Sequence, residues 1–306
     1  MASLADRLRT WRRALKAKLP YVRRREHGVL QRQYAELIEA LDAPPATSAA
    51  WTWVQPLADP LAGDVCLFVT HADGPALKPH VVDHVAHLAA AGLQVVLIAN
   101  RGGPAGHPHG LALEPALLAR TRAVAVRANL GYDFGAWAHA LALVPPRPAW
   151  TRLFLVNDSV VGPLDLAAFE RLVARIRASR ADVIGLTEGL SPSRHLQSWF
   201  LVFGPRALHS GAVERLFARV RNWPAKKQVI DVHETRLTRL LEAEGLTTEA
   251  MFPSLSGDAR SSDDTSLRWA ELVQGGLPYV KTRVIATHPA DERLATWLEA
   301  RPRAPR

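Results

Sequence analysis

The chain has a single cysteine, Cys66, among its 306 residues. One cysteine excludes an intramolecular disulfide and any metal site built from several thiolates. Cys66 lies inside the apolar run "DVCLFVT", where a small buried thiol packs well, so we interpret it as a core residue. Disulfide-stabilised folds and multi-cysteine metal folds are therefore excluded.

Long apolar segments are also missing. No stretch approaches the roughly 20 uninterrupted apolar residues that a membrane-spanning helix needs. The basic N-terminal segment is not followed by the apolar block of a secretory signal. With 48% hydrophobic and 22% charged residues, the composition is that of a globular protein with a sizeable core. We therefore expect a cytoplasmic location.

The formal charge is +9, and the excess is mostly arginine spread through the chain, which does not favour a nucleic-acid surface. The clearest concentration lies in "LADRLRTWRRALKAKLPYVRRREH", where apolar residues recur at helical spacing beneath a cationic cover. This pattern predicts a basic amphipathic helical leader over residues 1–50. Such a helix either lies on an anionic membrane surface or packs on the main domain, and the pattern leaves both open.

Between residues 64 and 189, apolar strands alternate with amphipathic helices. This alternation predicts an α/β fold of the Rossmann-like kind, with a mostly parallel sheet flanked by helices. We place this domain at 51–290 and a charged tail at 291–306. After residue 190 the pattern loosens; "HLQSWFLVFGPRAL" predicts a strand leading into a helix, and we expect the second half to cover a cleft in the first.

Each predicted strand ends in polar side chains. The carboxyl ends of parallel strands meet at one edge of a sheet, where open α/β folds bind their ligands. We therefore expect one shared cleft lined by these residues: His71 and Asp73, Asn100 and Arg101, Arg127, Asn129, Gly131 and Asp133, Asn157 and Asp158, and Glu188.

Several familiar nucleotide and nucleophile motifs are absent. There is no GxGxxG after the first strand, no GxxxxGK[ST] and no GxSxG, which argues against dinucleotide, P-loop and α/β-hydrolase chemistry. The pair Asn157–Asp158 either holds a divalent cation or caps a turn. His80, His84 and His87 have helical spacing, and we interpret them as a solvated helix face and not as a zinc site.

The chain resembles the rhamnan synthesis F family of bacterial cell-surface polysaccharide assembly. The resemblance rests on "VRANLGYDFGAW", "LFLVNDSVVGP", "HLQSWFLVF", "VIDVHETRLTRLLEAEG" and "GLPYVKTRV", which together span roughly residues 64 to 285. It implies a glycosyltransferase of the GT-A type that transfers a sugar, often rhamnose, from a nucleotide-diphosphate donor. The implied acceptor is a growing polysaccharide or lipopolysaccharide, as a glycan or a lipid-linked glycan.

The resemblance places Asn157 and Asp158 at the DxD-like metal element of that fold, and so implies Mg²⁺ or Mn²⁺. An amide replaces one of the two carboxylates of that element, which puts metal dependence in doubt. The leaving diphosphate needs positive charge, either from a metal at Asp158 or from Arg101 and Arg127.

The remaining candidates follow from the chemistry of transfer. His71, Asp73 and Asn100 are expected at the nucleoside, and Gly131 and Asp133 in the wall of the donor pocket. An inverting transfer needs a base, for which we favour Glu234 over Glu188. Further contacts to donor or acceptor are expected from His195, Gln197 and Ser198, while Trp137 or Trp199 either stacks on a sugar or belongs to the core.

Two other functions compete with this interpretation. The chain could be a non-catalytic glycan- or nucleotide-binding module of the same fold, or a nucleic-acid binder that uses its Arg-rich leader. We expect no nucleic-acid partner, and we expect any membrane association to be peripheral, through the leader at the inner face of the cell membrane.

Overall fold

The computed structural model describes residues 43–102, 111–146, 148–256 and 263–303. The chain divides into two units, Met1–Pro44 and Pro45–Arg306. Nearly all of the predicted leader lies outside the described residues, so the amphipathic helix stays a prediction. The architecture below is that of the second unit.

Within the described ranges, nine strands join in one sheet and two short strands form a second. The large sheet runs in the order β1-β4-β3-β2-β5-β9-β7-β10, with β8 paired to β7, and the small sheet pairs β6 with β11. The strands are β1 (Trp51–Gln55), β2 (Gly63–His71), β3 (Gln94–Arg101), β4 (Ala123–Ala128), β5 (Trp150–Asn157), β6 (Val160–Val161), β7 (Val183–Gly189), β8 (His195–Leu196), β9 (Phe200–Phe203), β10 (Thr248–Phe252) and β11 (Val280–Lys281).

The helices cover both faces and one end of the large sheet. They are α1 (Pro79–Ala90), α2 (Pro115–Leu118), α3 (Tyr132–Leu143), α4 (Leu166–Ala178), α5 (Pro205–His209), α6 (Ala212–Phe217), α7 (Lys226–Val229), α8 (Thr235–Ala243), α9 (Asp264–Leu267), α10 (Trp269–Gln274), α11 (Thr282–Thr287) and α12 (Glu292–Ala300). A wider π-type turn, Ile230–Glu234, joins α7 to α8. Helix α12 lies within the segment that the sequence predicts to be a charged tail.

The predicted α/β class is confirmed, but the expectation of a mostly parallel sheet is wrong. Strands β4, β3, β2 and β5 run parallel, as do β7 and β10, whereas β1, β8 and β9 run antiparallel to their neighbours. Strand β9 lies between β5 and β7 and opposes both. The ten residues between β7 and β9 contain no helix, and a parallel return needs a longer crossover. The chain therefore turns back antiparallel.

Alternation along β2 explains how the sheet buries both of its faces. Val65, Leu67 and Val69 pack in one apolar layer with Trp137 of α3. Cys66 and Phe68 point into the opposite layer, which contains residues of α1 and α4. Cys66 is fully buried, as predicted, and burial raises the pKa of its thiol. Trp137 is also fully buried and donates to the carbonyl of Leu67, so it is a core residue.

The histidines of α1 do not form the solvated face that their spacing predicts. His84 and His87 are buried, and the Nε2 atom of His84 lies 3.0 Å from the hydroxyl of Tyr279. Burial lowers the pKa of His84 to about 3, so its ring is neutral near pH 7. Helical spacing alone did not reveal that α1 is covered by the C-terminal segments.

The pairing of β6 with β11 brings the last third of the chain to the end of β5. Val161 pairs with Val280 and Val160 with Lys281. Thr282 then donates from its backbone N–H to the carbonyl of Ser159 at 2.9 Å. The residues that follow β5 are thereby held beside Lys281 and Thr282.

Candidate active site

Two neighbouring cavities lie beyond the carboxyl ends of the central strands. One, about 250 Å³, includes Glu234 and Lys281 in its lining and is called here the Glu234 cavity. The other, about 290 Å³, includes His71 and is called the His71 cavity. Both are lined by four common residues, Asp133, Asn157, Ser159 and Lys226. The shared lining makes them two compartments of one cleft, as the polar strand ends predict.

Asp133 is the acidic residue in the wall between the two compartments. Its Oδ2 accepts from Asn157 Nδ2 at 2.8 Å, and its Oδ1 accepts from the backbone N–H of Phe134 at 3.0 Å. Burial raises the pKa of Asp133, and the nearby charge of Glu234 adds to the rise. A carboxylate held in this way is a strong acceptor for hydroxyl groups in either compartment.

Asn157 is fixed at the end of β5 by both ends of its amide. Its Nδ2 donates to Asp133, while its Oδ1 accepts from the backbone N–H of Ser159 at 3.1 Å and from the Ser159 hydroxyl at 2.7 Å. Asn157 therefore forms a buried brace between the end of β5 and the start of α3.

Asp158 is held by several donors on one oxygen. Its Oδ2 accepts from the Thr70 hydroxyl at 2.8 Å, from the backbone N–H of His71 at 3.1 Å and from Lys78 Nζ at 2.8 Å. Only 16% of the Asp158 side chain is exposed, against 46% for Lys78. The hydrogen bonds join the end of β5 to the end of β2, and the ion pair joins it to the segment before α1.

Glu234 enters the Glu234 cavity from the π-type turn between α7 and α8. Its Oε2 accepts from both the backbone N–H and the hydroxyl of Ser198. Ser198 is buried in the turn that precedes β9. One carboxylate oxygen is thereby anchored to the sheet, and the carboxyl group is held at a defined place in the cavity lining.

Two lysines bring positive charge to these carboxylates. Lys226, at the start of α7, lines both compartments, and Lys281, at the end of β11, lines the Glu234 cavity. The ammonium group of Lys281 lies 5.1 Å from the ring centroid of Trp199. Burial lowers the pKa of Lys281 to about 8, although the carboxylates of Glu234 and Asp133 oppose the fall.

Polar side chains from the first three parallel strands line the His71 cavity. His71 Nε2 lies 2.5 Å from Asp73 Oδ1, and His71 Nδ1 lies 3.2 Å from Asn129 Nδ2. Asn100 is buried and donates from Nδ2 to the carbonyl of Tyr132 at 3.1 Å. Its Oδ1 has no hydrogen-bond partner among the described residues. Among those residues, this atom is therefore an unsatisfied buried acceptor next to the cavity.

The glycines of "LGYDFGAW" allow a close packing at the start of α3. Gly131 has a φ of 69°, and a Cβ atom there would lie 2.8 Å from Asn222 Oδ1. At Gly135, a Cβ atom would lie 2.6 Å from the carbonyl of Leu130. Tyr132 also has a positive φ, 55°. The tight turn sets Asp133 in the first turn of α3, facing the cleft.

The profile of the family described as rhamnan synthesis protein F matches residues 114–300. This match covers more than half of the chain, from the segment before β4 to the end of α12. The chain belongs to the rhamnan synthesis protein F family. Membership assigns it to the synthesis of a rhamnan polysaccharide. No curated protein matches the chain.

Among the described residues, no helix is both long and apolar enough to cross a membrane.

One arginine expected at the diphosphate has a different role in this member of the rhamnan synthesis protein F family. Arg127 is fully buried and donates to the carbonyls of Ala128, Leu130 and Ala46 and to Asn222 Oδ1. Burial lowers the pKa of Arg127 to about 10, which leaves it charged at neutral pH. Arg127 holds the turn that carries Gly131 and does not reach the cleft.

Other predicted residues also lie outside the described cavity linings. Glu188 accepts from Arg194 Nε at 2.8 Å and from the backbone N–H of Ser254 at 3.1 Å. Arg101 lies at the end of β3, and its Nη1 is buried without a partner in the described part of the chain. Neither residue lines a compartment of the cleft as described.

The segment "HLQSWF" and the residues after it do not form the one continuous strand that the sequence predicts. β8 ends at Leu196, and a turn at 198–199 precedes β9. His195 is buried with its Nδ1 2.8 Å from the carbonyl of Ser193, and Gln197 Oε1 accepts from the Thr187 hydroxyl at 2.6 Å. Ser198 and Trp199 line the Glu234 cavity, whereas His195 and Gln197 do not.

Sequence reasoning missed both lysines of the cleft. Lys281 lies within "GLPYVKTRV", one of the stretches that carry the family resemblance, and Lys226 lies just before "VIDVHETRL". The sequence feature that could have indicated these two residues is a lysine inside or beside a stretch that carries the family resemblance. Neither residue follows a strand of the parallel group, so the rule of polar strand ends could not select it.

The contacts of Asn157 and Asp158 leave at most one oxygen of the pair, Asp158 Oδ1, for the divalent cation that the family resemblance implies. One oxygen of Asp158 already accepts three hydrogen bonds, one of them from a positive ammonium group, and both ends of the Asn157 amide are used. Within the described ranges, no group of three or more His, Cys, Asp or Glu side chains is placed to hold a metal ion.

Proposed function

We propose that the chain is a glycosyltransferase that transfers a sugar, rhamnose by family resemblance, from a nucleoside-diphosphate donor to a growing polysaccharide. The observation that carries the proposal is the cleft itself, where Glu234 and Asp133 share one cavity with Lys226 and Lys281. Carboxylates accept hydroxyl protons and sugar hydroxyl groups, and ammonium groups balance phosphate charge.

The strand order supports a Rossmann-like, GT-A-like fold. Counted from β2, the parallel group β4-β3-β2-β5 has the order 3-2-1-4. In open α/β sheets, ligands bind outside the carboxyl ends of the strands where the order reverses, which here lies between β2 and β5. His71 and Asn157 end these two strands, and both line the His71 cavity.

The donor fits the two compartments with its nucleoside in the His71 cavity. His71 and Asn129 are hydrogen-bonding groups for the ribose, and Asn100 lines the same cavity. Lys226 lines both compartments, as a group that contacts the diphosphate must. The sugar then lies beside Asp133, within reach of the acceptor in the Glu234 cavity.

In the proposed transfer, the free oxygen of Glu234 accepts the proton of the acceptor hydroxyl as that oxygen attacks the anomeric carbon of the donor. The bond between the anomeric carbon and the diphosphate oxygen breaks, and the nucleoside diphosphate leaves with the electron pair. Ser198 positions Glu234 through the other oxygen. Lys226 and Lys281 stabilise the charge that develops on the leaving diphosphate.

The test is turnover on a panel of uridine, thymidine and guanosine diphosphate sugars that includes a rhamnosyl donor, with release of nucleoside diphosphate as the readout. Glu234→Gln keeps an acceptor for Ser198 and removes the base, so we expect turnover to fall about 10²- to 10⁴-fold. Glu188→Gln is the matched control, because Glu188 lies outside the cavity lining, and we expect less than about 3-fold change.

Equal turnover in wild type and Glu234→Gln would contradict the role of Glu234. A chain that binds a nucleoside diphosphate but turns over none of the donors would instead be a binding module of the same fold.

We also propose that the product is a lipopolysaccharide and that the acceptor is a lipid-linked glycan. The protein would then associate with the inner membrane face through residues 1–50. Vesicle sedimentation with and without residues 1–42 tests the membrane association.

A further inference from the structure

Asp158, the acid that the resemblance implies as a metal ligand, forms a salt bridge with a lysine of the same chain. Asp158 Oδ2 lies 2.8 Å from Lys78 Nζ and accepts two further hydrogen bonds, from the Thr70 hydroxyl and the His71 N–H. A divalent cation at this oxygen would have to displace an ammonium group or lie beside it. The contacts of Asp158 therefore meet a structural need, which is to join β5 to β2.

The neighbouring amide is occupied in the same way. Asn157 Oδ1, the atom that would have to face a cation, accepts instead from the N–H and the hydroxyl of Ser159. Its Nδ2 is bound by Asp133 at 2.8 Å. Turning the amide toward a metal ion would break these hydrogen bonds in a buried site, which is unfavourable.

The lysines of the cleft, unlike Asp158 and Asn157, are not bonded to other side chains of the described residues. Lys226 Nζ and Lys281 Nζ have no salt-bridge or hydrogen-bond partner among the described residues, although both line a cavity that also contains Asp133 and Glu234. By contrast, Lys227, which follows Lys226 in α7, is ion-paired with Asp231. Cations that line a cleft without a salt bridge or hydrogen bond to the protein are placed to contact an anionic ligand.

We propose that Lys226 and Lys281 hold the diphosphate of the donor in place of a divalent cation, and that Asp158 is a lysine-paired structural carboxylate. The inference rests on the proposed nucleoside-diphosphate donor. Two ammonium groups supply the same formal charge as one divalent ion. Lys226 lies where the compartments meet, and Lys281 lies against Trp199 in the cavity that also contains Glu234.

The experiment is calorimetric titration of the full chain with UDP, dTDP, GDP and ADP, first in EDTA and then with added Mn²⁺. We expect at least one nucleotide to bind in EDTA, with a Kd that Mn²⁺ changes by less than about 2-fold. Lys226→Met and Lys281→Met each remove one charge-assisted contact and should weaken binding about 10-fold or more.

Two variants control for folding and for local charge. Lys227→Met removes the adjacent, ion-paired lysine and should change the Kd by less than about 2-fold. Lys281→Arg keeps the charge beside Trp199 and should bind far better than Lys281→Met.

Binding that occurs only with Mn²⁺ would overturn the lysine assignment and leave the proposed transferase standing. Wild-type affinity in both methionine variants would also overturn it. Failure of every nucleotide in both conditions would instead remove the proposed donor, and the inference with it.

Discussion

The two walls of the cleft use their polar groups in different ways. On the wall formed by the first half, the acidic side chains are held by hydrogen bonds within the protein, as Asp158 is by Lys78 and Asp133 is by Asn157. On the wall formed by the second half, Lys226 and Lys281 have no such partner in the described part of the chain. Arg283 on the second wall is paired with Asp263, so Lys226 and Lys281 are the cations of that wall that remain for a ligand among the described residues.

This difference teaches that burial and chemical type alone do not identify a ligand-binding cation. Arg127 lies at a strand end of the parallel group and carries the side chain best suited to a diphosphate. Its guanidinium is nevertheless used entirely inside the protein. The residues that remain for a ligand are those whose donors the fold has left unused.

The largest effect is expected from Arg127→Met, which removes a strand-end cation whose donors all bond within the protein. The substitution leaves Asn222 Oδ1 and several buried carbonyls without their donor, so we expect the free energy of unfolding to fall by about 2 to 4 kcal/mol. Urea denaturation measures the loss. The matched control is Arg122→Met, an exposed arginine paired with Asp59 at 3.5 Å, for which we expect less than about 0.5 kcal/mol.

Nucleotide affinity of the folded Arg127→Met protein should remain close to that of wild type. A variant that keeps its stability but loses nucleotide binding would place Arg127 in the ligand site and erase the distinction between the walls.

An effect of intermediate size is expected from the titration of Lys281. Burial lowers its pKa to about 8, so the side chain is charged below that pH and becomes neutral above it. Affinity for a nucleoside diphosphate should therefore fall about 10-fold between roughly pH 7 and pH 9, since the neutral amine no longer attracts the anion. Calorimetry across this range measures the fall.

Lys281→Arg keeps its charge throughout this pH range and should abolish most of the decline. A decline of the same size in the arginine variant would assign the pH dependence to another group and remove the evidence for Lys281 at the diphosphate.

The smallest effect is expected at the rim of the first wall. Asp73 is 79% exposed, and its Oδ1 lies 2.5 Å from His71 Nε2. Exposed pairs of this kind contribute little, so Asp73→Asn should change the free energy of unfolding by less than about 0.5 kcal/mol and the nucleotide Kd by less than about 3-fold. Urea denaturation and calorimetry on the same preparation test both values. A large loss of affinity would make Asp73 a direct ligand contact.

Much of the cleft could be predicted because it depends on local pattern. Alternating strands and helices indicated the α/β class, and polar residues after strands indicated His71, Asn100, Asp133 and Asn157, which now line one cleft. Glu234 was proposed from the chemistry of transfer and lies in the same cleft.

The failures have a common physical cause. Whether a charged side chain meets a ligand depends on which partners the rest of the fold brings to it. Glu188 accepts hydrogen bonds from Arg194 and Ser254. Arg127 donates to Asn222 and Leu130. None of these pairings follows from local sequence. The direction of β9 was missed because alternation indicates a strand but not its orientation.

Local sequence was enough to predict the alternation of elements, the position of the cleft at the strand ends and the tight turn of "RANLGYDFGAW", because periodicity, turn chemistry and glycine placement act over a few residues. Tertiary structure alone decided which charges line that cleft. Lys281 reaches the end of β5 only through the pairing of β11 with β6, and Asp158 is neutralised only because β2 and β5 are neighbours. Such pairings join residues far apart in the chain, so local sequence patterns cannot predict them.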